Sequence, residues 1–428
     1  MYRSVDELLA YAHQTSPKVY RPFIMTEYLH TMGNSGGGLK EYMEVFESEP
    51  VVQGGCIWDW VDQSFREVDA HGKWYWAYGG DYGPENIPSF GNFCCNGLVN
   101  AVREPHPHLK EVKKAYQYIK CTLKDPKNLT IAIKNWYDFT NLNAYVLEWS
   151  IVGDNGKMLA KGEQSIEVAP HATTEVSLGG VRLSRNIREA YLNLSWTPKK
   201  KSAFIGTDDE VAYDQFVLPA NSQYRPTLAK LSEKPEIQID PKTGALTSYI
   251  YEGQEYLASP VRLSLYRPAT DNDNREKKGG AKVWRKLGLN HLVQRVLSVK
   301  TSGHTTYSEV ELLNDKNETI GSATFEYTIR KDGILSVQTR FVPDTTFVSS
   351  LARRPGHLEM PHSFNRVTYL GRGEHETYAD RKLSGRIGIY HTDAERMFHY
   401  YVRPQATGNR TDVRWMQVSD ELGKGLSV

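Results

Sequence analysis

Apolar positions in the first part of the chain switch between strand-like runs and helical spacing. Residues 23–26 form a short apolar run typical of a buried strand. Apolar residues at i, i+3, i+4 and i+7 then predict a helix with one buried face: Leu39, Tyr42, Met43 and Phe46. Pro50 ends that helix and residues 51–58 resume as a strand, which together predict a βαβ unit. A second helix is predicted over residues 109–119, after Pro105 and Pro107.

From Cys121 onward the pattern changes to short β-type runs separated by turns. The runs at residues 129–136, 144–152, 174–178 and 190–196 have the spacing of a small immunoglobulin-like β-sandwich, which we place at residues 120–219. Residues 219–235 resemble a linker. Residues 236–428 are again rich in strands and predict a larger β-sandwich, which we expect to be incomplete because its last residues carry no stopping signal.

The first 119 residues are too few for a closed barrel. A complete (β/α)₈ barrel takes about 250 residues, so this segment can supply only its last two or three units. The predicted fold class is therefore multidomain and mostly β. We expect the C-terminal part of a TIM barrel at residues 1–119, followed by the two sandwiches.

Composition and charge exclude several classes of partner. The 52 lysine and arginine residues nearly cancel the 51 aspartate and glutamate residues, so nothing favours nucleic acid or an anionic membrane. No apolar run approaches the length of about 18 residues expected of a membrane helix. The aromatic content of 11% suits a neutral sugar ligand, although most aromatic residues of a sandwich fill its core. The four cysteines have neither zinc-site spacing nor the density of a disulfide framework.

Glu27 is the first candidate for chemistry. A lone glutamate is usually a solvated surface residue, but this one follows a predicted barrel strand, at the end where barrel enzymes place their active sites. His30 and Asn34 add hydrogen-bonding groups nearby. Trp58 ends the next strand and suits either a sugar platform or the core.

A second carboxylate is harder to find. Glycoside hydrolysis normally uses two carboxyl groups. Asp59 and Asp62 are the best internal candidates for the second one. Their surroundings nevertheless favour a structural role in a hydrogen-bonded corner after the strand. His106 and His108 have a spacing that could suit a metal, but Pro105 and Pro107 favour an extended linker instead.

Several longer runs resemble the large β-galactosidases of glycoside hydrolase family 2. They are residues 27–35 (EYLHTMGNS), 53–63 (QGGCIWDWVDQ) and 93–99 (FCCNGLV), in matching order and spacing. Residues 267–273 (RPATDND) and 371–381 (GRGEHETYADR) resemble the signatures of the last large domain of that family, the small-chain-like domain. The resemblance covers essentially the whole chain.

The resemblance implies roles for four of these residues. Glu27 would be the nucleophile of a retaining double displacement, and Tyr2 would orient it by a hydrogen bond. His30 would contact galactose hydroxyls, and Trp58 would form a wall of the sugar pocket.

The resemblance also implies two metal ions, sodium and magnesium. Asn96 and the backbone carbonyl of Phe93 match part of a sodium site beside the primary hydroxyl of the sugar, and Phe93 also matches a pocket gate. The general acid and the magnesium ligands of the family lie on earlier barrel strands and are absent from this chain. We therefore expect a fragment that is inactive alone.

The leading hypothesis is that the parent enzyme hydrolyses terminal β-D-galactose from lactose-like substrates. One alternative is a non-catalytic sandwich module that binds carbohydrate or scaffolds an assembly, and another is a family 2 enzyme with a different sugar preference. The leading hypothesis predicts that Glu27, Tyr2, His30, Trp58 and Asn96 converge, whereas the sandwich module predicts a dispersed Glu27. The expected partner is a disaccharide or glycan, with no nucleic acid and no membrane. The sequence leaves open a homo-oligomer and a cytoplasmic or periplasmic location.

Overall fold

The computed structural model describes residues 1–181, 183, 186–219, 231–275, 280–345, 351–353 and 356–428. The chain divides into two compact units. The first unit comprises Met1–Pro226, Thr368–Thr392 and Gly408–Met416, and the second comprises Thr227–Val367, Asp393–Thr407 and Gln417–Val428. Most of the predicted linker at residues 219–235 lies outside the described residues, and the three-domain division stays a prediction.

The first unit opens with the barrel segment, residues 1–119. Its elements are, in chain order, α1 (Val5–Ala12), β1 (Phe23–Tyr28), α2 (Leu39–Ser48), β2 (Val52–Ile57), β3 (Phe65–Val68), β4 (Trp74–Ala77), a 3₁₀ turn (Gly91–Cys94) and α3 (Pro107–Ala115). β1 and β2 pair in parallel, with Met25 opposite Gly55 and Tyr28 opposite Ile57. The predicted strand, helix and strand are confirmed.

Local sequence accounts for where these helices lie. Ser4 and Glu7 form a reciprocal capping box that starts α1. The apolar face of α2 packs with Met25 and Tyr28 of β1 in one buried cluster. A parallel pair needs such a crossover helix to cover it, so this cluster fixes the carboxyl end of β1.

The predictions around α3 were wrong at both ends. Pro107 is the first residue of the helix and His106 is its extended N-cap, so these residues are not an extended linker. Proline suits this position because its missing N–H would have no helical partner there. The helix ends at Ala115 rather than residue 119, since Ile119 already begins a strand that pairs with its neighbour.

The described residues of the sandwich in the first unit form seven strands: β5 (Ile119–Asp125), β6 (Thr130–Asn135), β7 (Tyr145–Gly153), β8 (Met158–Gln164), β9 (Thr173–Ser177), β10 (Glu189–Pro198) and β11 (Ala212–Pro219). They form two antiparallel sheets of order β5-β6-β9 and β11-β10-β7-β8. One buried cluster between them includes Ile133, Leu192 and Trp196. This confirms the predicted small sandwich.

The second unit is built mainly from antiparallel sheets. Its elements are β12 (Glu236–Ile239), β13 (Leu246–Tyr251), β14 (Gln254–Glu255), β15 (Arg262–Leu263), α4 (Asp271–Arg275), α5 (Gly280–Lys286), β16 (Val293–Ser302), β17 (Thr305–Leu313), β18 (Thr319–Ile329), β19 (Leu335–Pro343) and β20 (Gly356–His357). The β16-β17-β18-β19 sheet contributes Leu312 and Phe325 to a core that also contains Trp284 of α5.

The last strands are β21 (Arg366–Arg372), β22 (Ile387–Asp393), β23 (Trp415–Ser419) and β24 (Gly425–Ser427). β21 and β22 are neighbours in a sheet, and within the first unit Leu370 and Ile387 pack on Tyr191 of the sandwich. None of the helices in the described part of the chain has the length and apolar character needed to cross a membrane.

Candidate active site

Glu27 lies near the carboxyl end of β1, and Tyr2 reaches it from the start of the chain. The backbone N–H of Tyr2 donates to the carbonyl of Glu27 at 2.9 Å. Burial, hydrogen bonding toward Glu27 and the charge of Glu27 raise the pKa of Tyr2 above its ordinary value, which means that the Tyr2 hydroxyl faces the Glu27 carboxylate. Tyr2 therefore stays a protonated donor to the carboxylate at neutral pH.

The backbone on both sides of this contact is in an uncommon conformation. Tyr2 has a φ of +48° and Leu29 has a φ of +51°, in the left-handed region that L residues rarely adopt. Such residues cost on the order of 1 kcal/mol or more each and persist only where the surroundings hold them. The conformation of Leu29 turns the chain directly after β1 and leads into His30.

Rings extend the group beyond Glu27. The His30 ring meets the edge of Tyr2 with centroids 5.9 Å apart, and it stacks on Phe93 with centroids 6.0 Å apart. Phe93 also contacts Phe90 at 6.4 Å. Tyr2, His30 and Phe93 therefore lie in one row that starts at the Glu27 carboxylate.

Thr31 joins the remaining candidates to this row, and sequence reasoning missed it. Its hydroxyl lies 2.5 Å from the Asn96 carbonyl and 3.1 Å from the Trp58 carbonyl, while its N–H donates to Trp58 at 2.8 Å. Trp58 is thus tied to the group through its backbone, and its side chain is partly exposed. The only sequence signal for Thr31 was its place within the run at residues 27–35.

The residues present fit the oxygen-rich half of a cation site. Asn96 is 1% exposed, and its Nδ2 donates to the Phe93 carbonyl at 2.5 Å. Its Oδ1 is buried and has no hydrogen-bond partner among the described residues. Buried polar atoms are normally satisfied, so a hard cation is a suitable partner for this oxygen and the adjacent carbonyl. In the described part of the chain no three histidine, cysteine, aspartate or glutamate side chains form a further metal site.

Asp59 and Asp62 are engaged in local hydrogen bonds. The Asp59 carboxylate accepts from the Trp60 N–H at 2.5 Å and from Gln63 at 2.9 Å. Asp62 is buried, where it accepts from the Gly97 N–H at 2.7 Å and meets His106 at 2.8 Å. These are the bonds of a structural corner. Asp59 nevertheless lies close enough to Tyr2 for its charge to contribute to the raised pKa of Tyr2, so Asp59 is beside the site.

His106 and His108 are buried against the same corner. His106 contacts Asp62, and Nε2 of His108 lies 2.9 Å from the Gly97 carbonyl. Gly97 directly follows Asn96, and a Cβ there would lie 2.1 Å from the Val99 carbonyl. The two histidines therefore help to fix the turn that presents Asn96.

Models of three protein domains match successive parts of the chain. The TIM barrel domain of glycosyl hydrolases family 2 matches residues 1–121, domain 4 of beta-galactosidase matches residues 131–219, and the beta galactosidase small chain matches residues 232–428. Among solved structures, a Bacteroides uniformis beta-glucuronidase is 14% identical, with coverage of 83% of this chain and 42% of that one; its TM-score of 0.21 is too low to add to this assignment.

Curated relatives match almost the whole chain. A beta-galactosidase of Priestia megaterium is 35% identical over 95% of this chain and 40% of its own length. Beta-galactosidase 2 of Enterobacter cloacae is 31% identical over 93% of this chain and 41% of its own length. The chain thus spans about two fifths of the curated relatives it matches. These matches, together with the three consecutive domain models, show that the chain belongs to glycoside hydrolase family 2, in the part of its β-galactosidases that runs from the TIM barrel to the small-chain domain.

Proposed function

We propose that these residues carry the nucleophile side of a retaining β-galactosidase, with Glu27 as the nucleophile. The observation that carries the proposal is the pairing of Tyr2 with Glu27 at the end of β1, beside His30: the Tyr2 N–H donates to the Glu27 carbonyl at 2.9 Å, and the Glu27 carboxylate helps to raise the pKa of Tyr2. The names of the curated relatives support the substrate class. By the full-length enzyme we mean a polypeptide of the relatives' length that includes this chain.

The proposed reaction has two displacements at the anomeric carbon. An oxygen of Glu27 attacks that carbon, the glycosidic C–O bond breaks, and the departing oxygen takes a proton from a general acid. Water then attacks the galactosyl ester, loses its proton to the same group, and releases galactose with the Glu27 carboxylate restored. Two inversions give retention. The general acid and the magnesium ligands lie outside this chain in the proposal.

Tyr2 has a positioning role in this scheme. Its hydroxyl donates to one carboxylate oxygen, which holds the other oxygen toward the sugar. Because its pKa is raised, Tyr2 remains neutral over the working range of pH and keeps this bond. Glu27 is therefore held in one orientation before the first displacement.

The neighbouring residues would hold the sugar. His30 offers a ring nitrogen to the galactose hydroxyls, Trp58 and Phe93 offer apolar faces, and Asn96 with the Phe93 carbonyl would hold a sodium ion. The ion would supply a fixed positive charge beside the primary hydroxyl. Terminal β-galactosides are the expected substrates.

The alternative of a non-catalytic sandwich module is disfavoured. It expects Glu27 to be dispersed from the other candidates, whereas Tyr2 contacts Glu27 and His30 contacts both Tyr2 and Phe93. A dispersed glutamate would not raise the pKa of a tyrosine that the family resemblance also selects.

Covalent trapping tests the proposal. The full-length enzyme is incubated with a dinitrophenyl 2-deoxy-2-fluoro-β-galactoside, which forms the ester quickly and hydrolyses it slowly, and the labelled peptide is identified by mass spectrometry. We expect one label per chain, on Glu27. Asp59→Asn should still be labelled, while Glu27→Gln should not. A label on Asp59, or on any carboxylate other than Glu27, would show that the nucleophile is assigned incorrectly.

A further inference from the structure

The loop between β1 and α2 is held by residues from much later in the chain. We call residues 30–38 the β1–α2 loop and residues 376–381 the anchor segment; both lie in the first unit. Nη2 of Arg381 donates to Oδ1 of Asn34 at 2.9 Å, and its Nη1 donates to the Ser35 carbonyl. The Asn34 amide in turn donates to the Tyr378 hydroxyl at 2.6 Å. Both polar ends of Asn34 are thus engaged by the anchor segment.

The anchor is itself fixed by a buried ion pair. The side chains of Arg381 and Glu376 are 3% and 2% exposed, and they meet at 3.1 Å. The other oxygen of Glu376 accepts from the Gly408 N–H at 2.7 Å and lies 3.2 Å from the Tyr378 hydroxyl. A buried ion pair of this kind adds little net stability over an apolar replacement. The planar guanidinium of Arg381, however, donates its hydrogen bonds in fixed directions. This favours a role in geometry over a role in stability.

The backbone of the loop depends on this contact. Gly36 and Gly38 have φ angles of +82° and +80°, so the loop lacks regular structure. The Gly38 N–H donates to the Asp380 carbonyl at 2.8 Å. A Cβ on Gly37 would lie 1.8 Å from Oδ2 of Asp380, which shows how closely the Asp380 side chain packs against the loop. A glycine-rich loop gains its fixed shape from partners outside it.

The other end of the same loop belongs to the active-site group. His30 stacks on Phe93, and Thr31 bonds the backbone carbonyls of Trp58 and Asn96. Only Met32 and Gly33 separate Thr31 from Asn34. A shift at Asn34 would therefore have to pass through only two residues to reach Thr31.

We propose that Arg381, held by Glu376, is a positioning residue for the galactose pocket. Arg381 fixes Asn34 and Ser35, and through them the placement of His30 and Thr31. The inference rests on the proposed function, because it concerns the same pocket. It assigns a kinetic role to residues near the end of the chain that do not contact the sugar.

The test measures KM, and kcat per active site, in the full-length enzyme. Sites are counted by the 2-fluoro galactoside label, so that misfolded molecules do not enter the rates. Arg381→Gln should raise KM for a nitrophenyl β-galactoside about tenfold, with a smaller change in kcat per labelled site. The reason is that sugar contacts act on the ground state and the transition state alike. Arg381→Lys keeps the charge but loses the fork, and should give an intermediate KM.

Asn34→Ala supplies the second arm, since it leaves the buried ion pair intact. It should raise KM to a similar degree, and its combination with Arg381→Gln should change KM by less than the product of the two single effects. Arg414→Gln is the matched control, because Arg414 pairs with Glu189 at 3.0 Å at a partly exposed position of the same unit. It should leave both constants unchanged.

The outcomes separate this inference from the proposed function. If Glu27 of the unmodified enzyme takes no label, the proposed function fails. If Glu27 is labelled and the Asn34→Ala and Arg381→Lys variants keep unchanged kcat and KM per site, with only fewer labelled sites, Arg381 is structural and the inference is overturned. Should Arg381→Gln not fold, these two variants still decide.

Discussion

The sandwich and the barrel segment belong to the same compact unit, but they cover their apolar residues in different ways. In the sandwich, Ile133, Leu192 and Trp196 have no exposed surface and are enclosed by two sheets of the same domain. The barrel segment has a parallel pair of strands, and among the described residues it exposes more large apolar and aromatic side chains than the sandwich, including Ile24 of β1 (60%) and Phe90 (91%), although Phe139 and Phe204 of the sandwich are exposed as well. The sandwich therefore encloses its apolar residues more completely than the barrel segment does.

This contrast locates function and stability in different places. The candidate catalytic groups all lie on the barrel segment, where much of the apolar surface is open, whereas the self-contained core lies in the sandwich. The site is therefore held both by the buried cluster under β1 and by long-range contacts, such as those of the anchor segment. Changes in the two regions should have separable effects.

The largest expected effect is on turnover and comes from the barrel segment. Glu27→Gln in the full-length enzyme should lower kcat by several orders of magnitude, since it removes the group that forms the covalent intermediate. The thermal unfolding midpoint should change little because Glu27 is near the surface end of β1. Steady-state assays and calorimetry on the same preparations measure both. A variant that retains a tenth of the activity would contradict the assignment.

The largest effect on stability should come from the sandwich. Trp196→Ala removes a fully buried ring and should cost about 3–5 kcal/mol in the free energy of unfolding. Phe65→Ala is the matched barrel-segment change; Phe65 is largely exposed and should cost about 0.5 kcal/mol or less. Urea denaturation of the 428-residue chain, followed by circular dichroism, compares them. Equal losses would remove the contrast between the two regions.

A pH effect should appear where later residues cover the barrel segment. His375 bonds Ser384 at 2.9 Å, and Ser384 bonds Glu111 of α3. Burial, with nearby positive charges, lowers the pKa of His375 from 6.5 to about 3. Between these values the unfolded chain binds a proton that the folded chain does not, so stability falls as pH falls below 6.5.

The expected size is about 1.4 kcal/mol for each pH unit in that window. His375→Gln should remove this contribution. The free energy of unfolding of the unmodified chain should therefore fall relative to that of the variant as pH is lowered from 7 to 5. Denaturation curves at several pH values measure the difference. A difference independent of pH would show that His375 is not held neutral.

The smallest expected effect concerns Tyr2. Tyr2→Phe in the full-length enzyme keeps the ring against His30 but removes the hydrogen bond to Glu27, and it should lower kcat about tenfold, or about 1.4 kcal/mol. Because the pKa of Tyr2 is raised, its ionisation should not appear in the pH–rate profile between pH 5 and 9. An unchanged kcat in the variant would mean that Glu27 needs no orientation by Tyr2.

Local pattern was enough to predict most of the strands and the position of Glu27. The run at residues 144–152 became β7, and the apolar spacing from Leu39 to Phe46 became α2, because each depends on neighbours within a few residues. The prediction failed at α3, where the pairing of Ile119 with Asn135 draws the chain into a strand. Long-range strand pairing overrides helical spacing there.

Long-range contacts of the site were beyond local pattern. Arg381 lies 347 residues from Asn34, and no periodicity connects them. The roles of Tyr2, His30 and Asn96 came from the family resemblance and remain predictions. Thr31 had no chemical signal because a threonine hydroxyl becomes informative only when its two carbonyl partners are known.

An assay of the purified 428-residue chain with a nitrophenyl β-galactoside tests the proposed division of the catalytic groups most directly. We propose that this chain holds the nucleophile without the general acid, and loss of general acid catalysis alone typically costs about 10² to 10⁴ in rate. We expect this chain to show no turnover above that of its Glu27→Gln variant. Turnover near that of the full-length enzyme, abolished by Glu27→Gln, would contradict it and would show that a sufficient acid lies within these residues, with Asp59 and Asp62 the first to examine.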